Sequence, residues 1–505
     1  MLIIDCDAHF GKHPGDAIDA SLKTLIELET AQGVSCAAAY SLKARAYDAR
    51  EGNDEALKAS REHREILPVA SVDPRGFDRV ETEIERVAQL GFVAVRVFPE
   101  AQGWGLDSVL FSRIIRACDE HAMPLMLSAD APGKASVVAR RAENAANPII
   151  LLGANYNIQA EVLSAAAERP NTFVSTQYFV TPGALELAAE VLGPDRLVLG
   201  TGAPESTGRP AINVILEAEL PDNEKAAILG GNIAQLIAPQ LAKLGRTLPE
   251  SDMSAYERQR IRGPIVDVHG HLGPWPFPMR GWSAADLVKL MKRRGIEKAI
   301  VSSTKAIVND FVEGNAELAR DIEPHPELLG YVTINPNYPE QSVRELDRYL
   351  KLPQFVGVKF HCGYAGVSID SEPLRRLLPR IAEKNVPILV HCWGHGEPTK
   401  VRRIAQEFPQ ISFVMGHGGV TAWVEAIDVL RATSNVYTEF SSSRADRGRV
   451  RATIDEVGCG RILFGSDLGL FDPAYDLGVY EEADLTAPER RAIMCDNARR
   501  LFRIC

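Results

Sequence analysis

Long apolar runs are missing from this sequence of 505 residues, and no stretch approaches the roughly 20 residues that a membrane-spanning helix requires. The opening segment, MLIIDCDAHFG, carries acidic residues where a secretory signal peptide has positive charge, and its apolar run is too short for one. We therefore expect a protein that does not bind membranes and that works in the cytoplasm.

Paired cysteine motifs and basic runs are missing as well. The eight cysteines are scattered, without the spacing of zinc-binding or redox motifs. The formal net charge is -11, the sequence pI is near 5.6, and no run of lysine or arginine offers the concentrated basic face that nucleic acid requires. With 46% hydrophobic and 24% charged residues, the composition is that of a globular protein, and the length predicts more than one domain.

What the sequence does contain is a long internal repeat. The offset between corresponding residues stays nearly constant, from 262 between His9 and His271 to 265 between Asn232 and Asn497. Chance matches do not keep register in this way, so the repeat predicts a tandem duplication. The corresponding segments include IIDCDAHFG (3–11) and IVDVHGHLG (265–273), FVAVRVF (92–98) and FVGVKFH (355–361), PLMLS (124–128) and PILVH (387–391), and RLVLGTG (196–202) and RILFGSD (461–467).

The duplication predicts two domains, 1–243 and 264–505, joined by the polar stretch 244–263 as a linker. In the second half, apolar runs alternate with helical patterns such as 283–295, where Ser283 is the expected N-cap and Gly295 the expected stop. Eight strands, each followed by a helix, are typical of a (β/α)₈ barrel, and the first half gives the same count. We predict an α/β fold of two tandem (β/α)₈ TIM-type barrels. The predicted strands of the second half are 264–268, 298–303, 329–334, 355–360, 387–391, 411–415, 435–440 and 461–465.

Metal-binding residue types lie at the ends of several predicted strands in the second half. His269 and His271 are two positions apart on one strand, so both side chains point to the same face. Barrel active sites lie at the C-terminal strand ends, and imidazole and carboxylate groups that converge there suit zinc or manganese. The other strand-end residues of this kind are Lys359, His361, His391, His417 and Asp467.

A lone histidine at a strand end is more often structural than a ligand. The whole set is hard to explain as packing, because clustered buried polar groups are costly. At the corresponding positions the first half has Asp7, Ser128, Ala154 and Gly202, and it keeps only His9 as an imidazole. We therefore predict a metal site in the second barrel and no catalytic metal in the first.

These segments resemble the amidohydrolase superfamily, in the branch that includes aminocarboxymuconate-semialdehyde decarboxylase. The motifs VDVHGHLG, GVKFH, PILVHCWG, VMGHGG, ILFGSD and DNARRLF follow the family's order across the second half. The resemblance implies that His269, His271, His391 and Asp467 bind one divalent metal. It also implies that Asp467 and His417 are the catalytic acid and base groups.

The segment GVKFH also resembles the fourth strand of dihydroorotases and ureases, in which a carboxylated lysine bridges two metals. Here that would make Lys359, His391 and His417 the ligands of a second metal. The alternative is a lysine that only forms hydrogen bonds in the pocket, and Arg96 at the corresponding position shows that a cation fits the fold. We favour one metal per chain, with zinc preferred and manganese as the alternative.

Four further side chains are candidates for substrate binding. Arg280 lies in the loop after the first strand of the second half, where a solvated arginine is an equally good interpretation. His361 follows the fourth strand, and Trp393 and His395 follow the fifth, where loop residues often contact substrate.

The resemblance implies a hydrolase that cleaves an amide, lactone or related carbonyl–heteroatom bond of a small molecule with metal-activated water. The alternative is a non-oxidative decarboxylase or hydratase on the same scaffold. A non-catalytic scaffold is a third hypothesis, against which the intact ligand set of the second half speaks. We expect the two barrels to form an intramolecular pseudo-dimer, and a homo-oligomer is left open.

Overall fold

The computed structural model describes residues 1–12, 15, 18–76 and 80–504, so Cys505 lies outside the described residues. The chain divides into two compact units, Met1–Arg258 (unit 1) and Gln259–Cys505 (unit 2). The stretch 244–263, predicted as a linker, contains the helix Ser254–Gln259, whose Tyr256 is buried. Within the part of the chain that the structure describes, no helix has the length and apolar character needed to cross a membrane.

Unit 1 contains an eight-stranded parallel sheet whose strands follow one another in chain order. The sheet curls back on itself, because the Cys6 N–H donates to the Leu199 carbonyl (2.9 Å) and the Gly202 N–H donates to the Asp7 carbonyl (3.0 Å). The strands are β1 Ile4–Phe10, β2 Cys36–Ser41, β3 Ile66–Ser71, β4 Ala94–Val97, β5 Leu125–Ser128, β6 Ile149–Leu152, β7 Thr172–Ser175 and β8 Leu197–Val198. The helices are α1 Leu22–Ala31, α2 Leu42–Ala46, α3 Ala49–Glu62, α4 Val80–Gln89, α5 Pro99–Gln102, α6 Val109–Glu120, α7 Lys134–Arg141, α8 Gln159–Glu168, α9 Ala184–Leu192, α10 Arg209–Glu217, α11 Asp222–Ala226, α12 Asn232–Leu236, α13 Ala238–Leu244 and α14 Ser254–Gln259, with a 3₁₀ turn at Pro194–Arg196 and a π-helical turn at Ala227–Gly231.

Unit 2 contains a seven-stranded parallel sheet, again in chain order. Its strands are β9 Ile265–Leu272, β10 Ile296–Ser303, β11 Leu328–Thr333, β12 Phe355–Phe360, β13 Ile388–Trp393, β14 Phe413–Gly419 and β15 Val436–Thr438. The helices are α15 Ala284–Arg293, α16 Thr304–Val308, α17 Phe311–Ile322, α18 Pro339–Tyr349, α19 Cys362–Ala365, α20 Glu372–Arg375, α21 Leu378–Lys384, α22 Glu397–Glu407, α23 Trp423–Ala432, α24 Arg449–Val457, α25 Pro473–Glu481, α26 Ala487–Arg491 and α27 Asn497–Phe502, with 3₁₀ turns at Val420–Ala422 and Cys459–Arg461 and a π-helical turn at Ala492–Asp496.

The eighth strand predicted for unit 2, residues 461–465, is not a regular strand. It begins in the 3₁₀ turn and continues as an extended segment that makes single bridges, from Ile462 to Thr438 on one side and from Leu468 to Gly270 on the other. The segment therefore occupies the place of the eighth strand between β15 and β9. The α/β fold with two TIM-like parallel sheets is confirmed, with eight strands in one unit and seven in the other.

Local signals explain where the first long helix of unit 2, α15, begins and ends. The Ser283 hydroxyl accepts a hydrogen bond from the Asp286 N–H, which satisfies one of the free donors of the first turn. Gly295 follows the helix with φ +71°, a conformation that glycine adopts without steric cost. Both predictions for this helix are confirmed.

Corresponding buried hydrogen bonds recur in the two units. In unit 2 the Asn315 side chain donates to the Thr333 carbonyl and accepts from the Thr333 N–H, both at 3.0 Å. In unit 1 Asn53 makes the same pair of bonds to Ser71, at 2.9 and 2.8 Å. Each asparagine thus ties a helix to the end of the third strand of its unit.

A glycine packed against backbone tests the fold in unit 2. A Cβ at Gly314 would lie 2.3 Å from the Ala306 nitrogen and 2.7 Å from its Cα. We expect Gly314→Ala to destabilise the protein by about 2–3 kcal/mol, because this steric overlap outweighs the better helix propensity of alanine. Chemical denaturation measures the effect. In the control Gly460→Ala the added Cβ meets nothing within 4 Å, so equal stability losses in both variants would contradict the packing argument.

Candidate metal centre

His269, on β9, is buried between two charged groups. Its Nδ1 lies 2.9 Å from Oε1 of Glu439, and its Nε2 lies 2.7 Å from Nζ of Lys359. A carboxylate can only accept, so Nδ1–H donates to Glu439 and Nε2 carries the lone pair. This carboxylate–histidine arrangement is the one that orients metal-binding imidazoles.

His271, on the same strand, contacts the carboxylate of Asp467. Its Nε2 lies 2.7 Å from Oδ1 of Asp467, and its Nδ1 lies 3.0 Å from the Ser302 hydroxyl. Despite this contact, Oδ1 of Asp467 is buried without a well-directed hydrogen bond. Two ligand-type atoms that face each other at this distance suit a cation bound between them.

His417 and His391 form a second chain of imidazoles. His417 Nδ1–H donates to the Ser441 carbonyl (2.8 Å), and its Nε2 lies 3.0 Å from Nδ1 of His391. In neutral His417 that Nε2 must accept, so His391 donates through Nδ1–H and its own Nε2 keeps a lone pair. These tautomers are assigned from the hydrogen-bond partners.

The geometry fits a divalent metal. The ligand atoms of His269, His271 and Asp467 lie within 4.8 Å of one another, as do those of His269, His417 and Glu439. His391 belongs to neither cluster, although its tautomer leaves Nε2 able to coordinate. Imidazole nitrogens with their second nitrogens engaged by protein, together with one buried carboxylate, are a donor set that zinc and manganese both accept.

Burial sets the protonation states of the site. It lowers the pKa of His417 to about 4, and it lowers the pKa of His269 well below its usual value with a further contribution from Lys359. Both imidazoles are therefore neutral at pH 7, which is the form that binds metals. Burial also lowers the pKa of Lys359 to about 8 and raises the pKa of Glu439 to about 7.

Two site residues have left-handed backbone conformations, with φ +71° at His417 and +55° at Asp467. Such conformations are costly for residues other than glycine and are concentrated at functional sites. Unit 1 has glycine at both positions, Gly153 (φ +80°) and Gly202 (φ +73°). In the two sheets, the corresponding residues Ser128 and His391 pair with Leu152 and Gly416 on the next strand. The residues that follow, Gly153 and His417, therefore correspond to each other. The match of His417 with Ala154 is wrong by one residue.

Glu439 is the functional residue that the sequence analysis missed. It is fully buried, and its carboxylate accepts from the backbone N–H groups of His417 and Ser441 (2.6 Å each) as well as from His269. The sequence does place Glu439 at the end of a predicted strand, which is where the other site residues lie. The strand pairings show that the corresponding residue of unit 1 is Ser175.

The candidate substrate-binding residues divide into two pairs. The His361 ring stacks on His391 at 3.9 Å, and Trp393 is 40% exposed with its ring 5.2 Å from His417. Arg280 instead pairs with Asp286 (3.3 Å), and His395 pairs with Glu425 (2.9 Å), both as well-exposed side chains. The structure thus places His361 and Trp393 at the site and holds the other two in local ion pairs. Their roles in binding stay predictions.

Trp275 contributes a further aromatic side chain beside the ligand histidines. Its ring lies 4.8 Å from that of His271, edge to face, and its Nε1 is buried without a hydrogen-bond partner. The mouth of unit 2 therefore combines neutral imidazoles, one carboxylate and an aromatic wall.

The corresponding place in unit 1 holds an ion pair. The Arg96 guanidinium lies 2.7 Å from the Asp7 carboxylate, and both side chains are buried. His9 remains, with its Nε2 3.4 Å from Oε1 of Glu205. A permanent side-chain cation thus stands at the position of Lys359. That unit 1 binds no catalytic metal stays a prediction.

Parallel strands with imidazoles and a carboxylate at their C-terminal ends define a metal-dependent enzyme on a TIM-like barrel. The chain belongs to the amidohydrolase family, whose family model matches residues 4–237 and 266–504.

Several known proteins are similar to this chain. The gamma-resorcylate decarboxylase of Polaromonas sp. (strain JS666 / ATCC BAA-500) is 22% identical over 282 residues, covering 43% of this chain and 86% of that protein. Among solved structures, 2,6-dihydroxybenzoate decarboxylase from Rhizobium matches with 18% identity and a TM-score of 0.41, over 48% of this chain and 99% of that chain. The 5-carboxyvanillate decarboxylase from Sphingomonas paucimobilis matches with 13% identity and a TM-score of 0.40, over the same shares of the two chains.

Proposed function

We propose that unit 2 is a metal-dependent, non-oxidative decarboxylase of an aromatic carboxylate. The clustering of His269, His271 and Asp467 carries the proposal, since these side chains could hold a divalent cation beside a carboxyl group that can carry a proton. The sequence resemblance alone favours hydrolysis over decarboxylation. The similarity to gamma-resorcylate decarboxylase leads us to favour decarboxylation instead. The aromatic side chains Trp275 and Trp393 suit a planar substrate.

Each residue of the site has a part in this reaction. The metal, held by His269, His271, His391 and Asp467, would supply the positive charge that binds and polarises the substrate's oxygens. When the carbon–carbon bond breaks, the electron pair stays on the ring carbon, and a proton must be delivered there as carbon dioxide leaves. We assign that delivery to Asp467, which takes up a proton from solvent water before each turnover and passes it to the ring carbon, with neutral His417 orienting the substrate.

A single metal fits the contacts better than a bridged pair. His269 and His271 share one ligand cluster with the carboxylate of Asp467. His417 instead shares its cluster with Glu439, whose two oxygens already accept from backbone N–H groups. We also propose the tandem duplication, the domain boundaries 1–243 and 264–505, and zinc or manganese as the bound metal.

Replacement of Lys359 by methionine tests the number of metals. We expect Lys359→Met to retain about one equivalent of metal per chain, because methionine keeps the apolar stem and removes only the amine. Elemental analysis of the variant and the wild type measures the metal content. A fall from two equivalents to none would identify a carboxylated, bridging lysine and contradict the single site.

Product analysis tests the reaction itself. We expect the full chain, loaded separately with Zn²⁺ and with Mn²⁺, to convert 2,6-dihydroxybenzoate to resorcinol and carbon dioxide in equal amounts. Chelator-treated protein is the control. If the metal-loaded chain instead hydrolyses lactones or amides and leaves aromatic carboxylates intact, the hydrolase hypothesis replaces this one.

A further inference from the structure

Asp267 lies on β9, two residues before the candidate ligand His269, and it is fully buried. Its Oδ1 accepts from the N–H of His269 (3.0 Å) and from the N–H of Ser466 (3.1 Å). Its Oδ2 accepts from the Ser466 hydroxyl. Ser466 directly precedes Asp467, so one carboxyl group is bonded to the backbone at two candidate metal ligands. We call these three hydrogen bonds the Asp267 clamp.

The Asp267 clamp replaces one bond between β9 and the segment that takes the place of the eighth strand. The Val268 N–H donates to the Phe464 carbonyl (3.0 Å), so a regular parallel ladder would next join the Ser466 N–H to the Val268 carbonyl. Instead the Ser466 N–H donates to Asp267, and the Val268 carbonyl accepts from the Tyr331 hydroxyl (2.7 Å). At this point a side chain, rather than the backbone of β9, holds the segment in place.

The position of Asp467 depends on how this segment is held. Asp467 has a left-handed backbone (φ +55°), and its Oδ1 lies 2.7 Å from Nε2 of His271. Such a conformation is costly for an aspartate and persists where the surrounding structure fixes it. The Asp267 clamp fixes the preceding residue, Ser466, and it fixes the backbone of His269 at the same time.

Unit 1 contains the same three hydrogen bonds beside a glycine. Asp5 corresponds to Asp267 and is also fully buried. Its Oδ1 accepts from the N–H groups of Asp7 and Thr201, both at 2.9 Å, and its Oδ2 accepts from the Thr201 hydroxyl (2.6 Å). Gly202 follows Thr201, so no ligand-type side chain stands there. The Asp5 clamp therefore shows what these bonds contribute to a fold of this kind where no aspartate follows them.

The clamp bonds to the backbone do not depend on one protonation state. Burial raises the pKa of Asp267 to about 7, and its hydrogen bonds to Ser466 and His269 oppose the increase. Oδ1 accepts both backbone N–H groups whether the carboxyl group is ionised or carries a proton on Oδ2, in which case the Ser466 hydroxyl accepts. An asparagine can accept the same two backbone bonds through its amide oxygen.

We propose that Asp267 is a positioning residue of the metal centre, which sets the placement of His269 and Asp467 through their backbone. The proposal rests on the proposed function, because it concerns the same bound metal. Asp267 itself contacts neither metal nor substrate. Its part differs from that of Glu439, which orients the imidazole of His269 through the Nδ1–H.

Zinc titration of matched variants of the full chain tests the proposal, with a chromogenic chelator as competitor and without substrate. We expect Asp267→Ala to weaken Zn²⁺ binding by about 10- to 100-fold, the usual effect of losing a residue that orients a ligand. Asp5→Ala should lower Tm as much as Asp267→Ala does, by about 4 to 8 °C, yet change the Kd of Zn²⁺ by less than about twofold. Asp267→Asn should recover most of the affinity, because its amide oxygen restores the two backbone bonds.

A second pair of variants serves if the alanine variants do not fold. Ser466→Ala and Thr201→Val remove one hydroxyl from each clamp, and a loss of about three- to tenfold in Zn²⁺ affinity is expected only in Ser466→Ala.

Three results would overturn the proposal while the metal site stands. They are an unchanged Zn²⁺ affinity in Asp267→Ala, an equal loss of affinity in Asp5→Ala, and a loss in Asp267→Asn as large as in Asp267→Ala. The second would mean that Asp267 acts through the fold alone, and the third that its charge matters rather than its hydrogen bonds. No Zn²⁺ bound by the wild type would instead overturn the proposed function, and this proposal with it.

Discussion

Asp467→Asn is expected to purify without bound metal and to lose catalytic turnover by a factor of about 10³ or more. The substitution keeps the shape of the side chain but removes the charge that faces His271 at 2.7 Å. An amide is a weaker ligand than a carboxylate, and it cannot carry the proton that the ring carbon needs. Elemental analysis and the 2,6-dihydroxybenzoate assay measure the two effects separately.

The matched control is Asp428→Asn, an exposed aspartate of unit 2 that pairs with Arg431 at 3.2 Å. It should keep both metal and turnover. If Asp467→Asn bound a full equivalent of metal and kept more than about a tenth of the turnover, neither assigned role of Asp467 would stand. Metal retained without turnover would leave Asp467 as a proton carrier and remove it from the ligand set.

Glu439→Gln is expected to weaken metal binding by about 10- to 100-fold, the usual effect of removing a partner that orients a ligand histidine. Glutamine fits the same space, but its neutral oxygen is a weaker acceptor for the Nδ1–H of His269, and its NH₂ group opposes the N–H of Ser441. The imidazole then loses the fixed orientation of its Nε2. Competition with a chromogenic chelator measures the change in Kd.

The control for Glu439 is Glu345→Gln, another buried glutamate of unit 2, whose carboxylate accepts from Asn315 at 3.0 Å. It should lower stability without changing the Kd of the metal. Equal losses of metal affinity in both variants would mean that Glu439 acts through the fold alone. Recovery of affinity in Glu439→Asp, with a carboxylate on a shorter stem, would support its role in positioning His269.

The fold was largely predictable because its signals are local. The apolar runs that became β9 to β14 contain buried residues on both faces, and caps such as Ser283 mark the helix ends. The segment after Cys459 carries the same apolar pattern, but its strand is interrupted. Whether this segment pairs with its neighbouring strands depends on its backbone conformation, which includes the 3₁₀ turn and the left-handed Asp467. An apolar pattern does not reveal such conformations.

The sequence predicts which residue types lie at the candidate site, but it predicts less well which side chains contact one another there. Strand-end imidazoles are visible in the sequence, and the structure brings His269, His271 and Asp467 together. The direction in which a side chain points is not visible in the sequence. Arg280 and His395 also follow strands, yet each forms an ion pair with a nearby carboxylate. Glu439 escaped notice because a glutamate after a strand has many ordinary explanations.

We propose that one divalent metal is bound in unit 2 by His269, His271, His391 and Asp467. The most direct test is an anomalous difference map from crystals of the metal-loaded full chain, collected at the absorption edge of the bound metal. We expect one peak among these four side chains, on the Nε2 side of each imidazole. Two peaks bridged by Lys359, or a peak that leaves Asp467 and His271 uncoordinated, would contradict it.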